Sequence, residues 1–151
     1  MTVSHHARSW LAGLAIGVLL AAGAGTAQAA TYSGSLSGTP DGQIHLTFER
    51  EGGRLYLDQL EWGQAPWHCD NGIDSIGSGG GYEPPEGLVS HRSFRIRRSA
   101  SENDYIFLVA GELKKRGKAS GVLRYQGQGS SPGSGVCDTE RLEWKATREL
   151  K

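Results

Sequence analysis

Apolar and polar residues alternate with a period of two along much of this chain, which is the spacing that puts one face of a β-strand inward and the other in water. Tyr32, Gly34 and Leu36 open the series. Ile44, Leu46 and Phe48 then alternate with His45, Thr47 and Glu49, and the break at Glu51-Gly52-Gly53 before Leu55 and Leu57 predicts a hairpin. Leu60 and Trp62 fall out of phase with Leu55 and Leu57, so a bulge or bend near Asp58-Gln59 is expected. Phe94 and Ile96 alternate with Arg95 and Arg97, and a polar turn over 99–103 precedes the most apolar stretch, 105–110. Both parities of that stretch are apolar, which predicts a central strand covered on two faces. A basic turn at 114–118 leads into Ala119, Gly121, Leu123 and Tyr125, and Leu142, Trp144 and Ala146 close the series. Seven or eight strands and no helical period predict an all-β fold, an antiparallel sandwich or flattened barrel.

Two long segments, 63–87 and 126–140, lack this alternation and are expected to be irregular. Each holds one of the two cysteines, Cys69 and Cys137. The first 29 residues read as a cleaved signal peptide. Arg8 precedes an uncharged run over 11–22, and Ala27-Gln28-Ala29 supplies the small-x-small pattern of a cleavage site. Gly23, Gly25 and Gln28 weaken the competing reading as a membrane-spanning anchor, so no stable membrane insertion is expected. No cysteine stands near the cut for lipid attachment and no twin-arginine pair precedes it. A secreted or periplasmic product follows, with residues 30–151 forming one domain around one core.

In an oxidising compartment the two cysteines are expected to form a disulfide. Closing so long a loop would disfavour the unfolded chain by on the order of 4 kcal/mol. The bridge would draw both irregular segments to one end of the sheets, giving Trp67, His68 and Tyr82 a common rim and making them the candidate ligand-binding residues. An exposed aromatic there could stack on a sugar ring; the competing account is a long segment packing its own aromatic against the core.

The Tyr32 to Gly34 start, Trp62 with Cys69, and Cys137 with Trp144 resemble a loose group of small exported bacterial β-sandwich proteins of no assigned activity. That resemblance implies a shared fold and a shared bridge. It carries over no catalytic or ligand residue.

Charge excludes a bulk attraction to nucleic acid or to anionic membranes. Arg8 is the only charge ahead of residue 30, leaving 15 Lys and Arg against 16 Asp and Glu, with both signs interspersed. Candidate chemistry is sparse. The run 129–133 matches Gly-x-Ser-x-Gly, but where a helix should begin Pro132 and Gly133 are followed by more Gly and Ser, and His45, His68 and His91 all precede Ser131. His68-Cys69-Asp70 offers zinc donors without a paired set from a second segment. Residues 70–74 offer oxygen donors for calcium, with an Asx turn as the simpler account. Glu83, Glu86, Asp138, Glu140 and Glu143 could supply a carboxylate pair, and nothing selects among them. Arg95, Arg97 and Arg98, and the turn at 114–118, could touch acidic glycans, lipopolysaccharide or phosphate; a charged edge strand that blocks aggregation explains Arg95 and Arg97 at lower cost.

The expectation is an exported, non-catalytic binding or envelope-associated domain. It needs no cofactor or metal, and its partner would be a glycan or envelope protein. Two alternatives stand beside it: a small secreted hydrolase using His68 with Asp70 or Glu83 at the bridged end, and a structural or inhibitory partner protein.

Overall fold

A computed structural model describes residues 29–82, 87–100, 105–129 and 135–150. The expected leader, Glu83 and Glu86, and most of the 129–133 motif lie outside the described residues. The strands are β1 (Ala30–Leu36), β2 (Gln43–Glu51), β3 (Arg54–Cys69), β4 (Asp74–Tyr82), β5 (Gly87–Leu88), β6 (Ser93–Ala100), β7 (Tyr105–Leu113), β8 (Lys118–Gln128), β9 (Val136–Asp138) and β10 (Leu142–Arg148). The fold is all-β, as the period-two pattern requires.

All pairings are antiparallel, and β1, β2, β3, β9, β8 and β10 hydrogen-bond in a closed ring. Short β9 closes it by pairing with the far ends of both β3 and β8. Strands β7 and β6 extend the sheet from the free side of β8, and β4 and β5 pair along the free side of β3.

The inward positions of the alternation make the core. Ile44, Leu46, Phe48, Leu57, Leu60, Val109 and Leu123 are fully buried, with Trp62, Phe94, Phe107 and Trp144 among them. Phe48 meets Phe94 edge-on at 5.4 Å, Trp62 stacks on Phe107 at 5.8 Å, and Phe94 stacks on Trp144 at 6.1 Å. Such offset and edge-on pairs add to area burial rather than merely filling space. These contacts lay β6 and β7 over the inner faces of β2, β3 and β10. The phase slip has its expected cause: Thr47 pairs with Gln59 but Phe48 with Leu57, so Asp58 bulges and both Leu57 and Leu60 point inward.

Two expectations are corrected. Segment 63–87 is not irregular over its described part, because β3 runs without interruption to Cys69 and β4 returns along it. Register shifts after Leu60 and Trp62 and a left-handed Gln64 (φ 55°) scramble the alternation there. The sequence of β4, rich in Gly and Ser, offers little apolar alternation to announce a strand. Segment 105–110 is not covered on both faces. Phe107 and Val109 are buried, whereas Ile106, Leu108 and Ala110 are half-exposed, since β7 is next to the last strand and its outer face has no covering layer. Exposed Arg95 and Arg97 project from the terminal strand β6, where charge opposes edge-to-edge pairing.

Candidate functional site

At one end of the ring Cys69 and Cys137 sit directly opposite each other on β3 and β9 and are joined by a disulfide. Thr139 is buried beside them, exchanging hydrogen bonds with the backbone of Tyr125. The turn from β3 to β4 is an Asx turn in which the Ile73 N–H donates to Asn71 Oδ1, 3.1 Å away. Asp70 accepts the Val136 N–H at 3.2 Å and so ties this turn to β9.

Trp67 and His68 stand here as neighbours on β3, facing opposite ways. Trp67 is half-buried with its ring 5.1 Å from Tyr125, packed against the core. His68 is exposed, and its Nδ1 lies 2.9 Å from Asp74 Oδ1. That hydrogen bond raises the imidazole pKa above its ordinary value; desolvation opposes it, and the charges of Asp74, Glu140 and Asp138 add weaker upward contributions. Tyr82 is not brought to this rim. Its backbone pairs with Leu60, about 20 Å back along β3 from Trp67, because β4 runs antiparallel away from the bridge. His68 pairs with Asp74 rather than Asp70, Cys69 is held in the bridge, and Arg124 engages both oxygens of Asp138. Among the described residues no three His, Cys, Asp or Glu side chains converge as a metal site would require.

The opposite end is chemically different. There an open cavity of about 620 Å³ is framed by turns and strand ends distant in sequence. The β2–β3 hairpin supplies Arg50 and Arg54, and the β5–β6 turn supplies Arg92. The β7–β8 turn adds Lys114, Lys115 and Arg116, and the end of β10 adds Arg148. Tyr32, Leu55, Val89 and Leu113 form an apolar floor against the core. Backbone bonds lock the frame: Val89 N–H to Leu55 O at 2.8 Å, Leu113 N–H to Arg92 O at 2.7 Å, and Lys114 N–H to Lys118 O at 2.7 Å.

Seven cationic side chains therefore line one cavity and no carboxylate does. Among the described residues none of the seven is in an ion pair. Arg50 alone has a local partner, donating from Nη1 to Gly53 O at 3.0 Å. Like charges gathered around a low-dielectric wall repel one another and raise the local concentration of anions.

No family model matches the chain, and no curated protein or solved structure matches it significantly. The functional reading therefore rests on this geometry.

Of the cavity residues, sequence reasoning singled out only the turn at 114–118. A signal for the rest exists once strand order is known. In an antiparallel fold alternate turns share an end. The described connections at the bridged end hold Asp41, Asp70, Glu140 and Arg141. The turns and strand ends at the cavity end hold the seven cations, beside Glu51 and Glu149. A formal net charge of zero thus conceals a cluster of cations around one cavity.

Proposed function

We propose that this protein is an exported, non-catalytic binding module that holds an anionic ligand in the basic cavity at the end of the barrel remote from its disulfide. One observation carries the reading: seven Arg and Lys side chains from four separate parts of the chain line one rigidly framed cavity, without a carboxylate among its lining residues. Five of them are arginines, whose planar forks suit phosphate, sulfate and carboxylate groups held bidentately. The fold reading that accompanies it is a flattened barrel, with β6 and β7 as its second layer. Release to a secreted or periplasmic compartment fits the leader pattern and the bridge.

Retention of the full chain on a heparin column tests the proposal, heparin serving as a generic polyanion. Arg54→Ser with Arg116→Ser should elute at markedly lower salt than the parent, while Trp67→Ala should elute with it. Equal elution of the double variant and the parent would overturn the site. Loss of retention in Trp67→Ala, with the fold intact by circular dichroism, would move the site to the bridged end.

A further inference from the structure

Beside the cavity a second concavity of about 510 Å³ runs over the outer faces of β1, β10 and β8, and Lys114 lines both. Its walls follow from strand register. Ser35, Lys145 and Ser120 stand side by side in one row across the three strands, and Ser33, Thr147 and Lys118 in the next. Consecutive rows on one sheet face are about 7 Å apart. Every one of these six positions carries a hydroxyl or an ammonium group, so the groove offers donors and acceptors at short intervals with positive charge between them. Ser33 is held in place by His45, 3.0 Å from its hydroxyl, and by Glu149, which accepts its hydrogen bond. Glu149, Glu143 one row beyond Lys145 on β10, and Glu112 beyond Ser120 are the nearby acids, against Lys114, Lys118 and Lys145.

From this continuity we infer that the anionic ligand proposed above is a linear acidic glycan, whose charged end enters the arginine-lined cavity and whose following sugars lie along the groove. The inference rests on the cavity reading and extends it to a ligand class. A compact anion would leave the groove unused. A single-stranded nucleic acid needs aromatic platforms for its bases, and the one aromatic in either lining, Tyr32, is buried. A membrane surface needs apolar side chains to insert, whereas the apolar residues of the groove, Ala119 and Ala146, are buried. Hydroxyl rows interleaved with ammonium groups match a polymer that presents hydroxyls and anions in alternation.

A length series of heparin oligosaccharides, disaccharide to octasaccharide, titrated into the full-length protein by calorimetry tests it. Affinity should rise about tenfold or more from disaccharide to hexasaccharide as the groove fills. Lys118→Gln with Lys145→Gln should abolish that gain and leave disaccharide affinity within about twofold of the parent. Affinity independent of length, with the disaccharide still bound, would overturn the glycan inference and spare the cavity reading. Failure of every length to bind would overturn both. Tighter binding of a single-stranded oligonucleotide of matched charge, or of phosphatidylglycerol-containing vesicles, would overturn the glycan class.

Discussion

Arg92 and Arg116 stand on different turns, with φ of 69° and 60°, and both line the same cavity. Left-handed backbone costs a residue with a Cβ about 1 kcal/mol relative to glycine. The β5–β6 turn makes the point sharply. Ser90 and Ser93 exchange backbone bonds of 2.9 and 2.8 Å around His91 and Arg92, both at positive φ. Asn-Gly is the favoured pair for such a turn. Holding a guanidinium there against backbone preference fits a site in which strain is tolerated for function. Arg92→Gly should therefore raise the thermal midpoint by roughly 3–5 °C while lowering the salt needed for elution from heparin. Differential scanning calorimetry and chromatography on one sample check both signs.

Gly111 and Gly121 pair across β7 and β8, and the indole of Trp144 lies over both. A Cβ at either position would overlap that ring. Gly111→Ala should cost about 1–3 kcal/mol by forcing the indole aside, seen as a lower urea midpoint. A stability unchanged from the parent would mean that Trp144 is not seated there.

The bridge and the cavity lie at opposite ends of the 16-residue strand β3. Replacing both cysteines by serine should lower stability by about 2–5 kcal/mol, mainly by freeing the unfolded chain. Heparin retention should persist at a temperature where the variant remains folded. Retention lost along with the bridge would show that the two ends are coupled.

His68 gives a pH signature. Its folded pKa is raised by Asp74, so the interaction stabilises the fold fully below the ordinary histidine pKa of about 6.5 and fades as pH climbs through the folded value. An NMR titration of the full chain should place His68 above that ordinary value. Asp74→Asn should return it toward the ordinary range, and the cavity, at the far end, should bind as before.

Much of the architecture was written locally. Alternation located the inward faces of β1, β2, β6, β8 and β10, and the slip between Leu57 and Leu60 announced the Asp58 bulge, because burial of one sheet face imposes a period of two wherever it occurs. Two cysteines allow one intramolecular pairing, so the bridge too was legible. β4 was not, since its Gly- and Ser-rich sequence carries too few apolar side chains to leave a pattern.

What only tertiary structure decided is which distant residues share an end. Arg50, Arg92, Arg116 and Arg148 are unremarkable one at a time in a chain of balanced charge. They become one cavity because antiparallel closure returns every second turn to the same side of the barrel. Side-chain alternation is a property of neighbours along a strand, whereas the coming together of turns is a property of the closed ring.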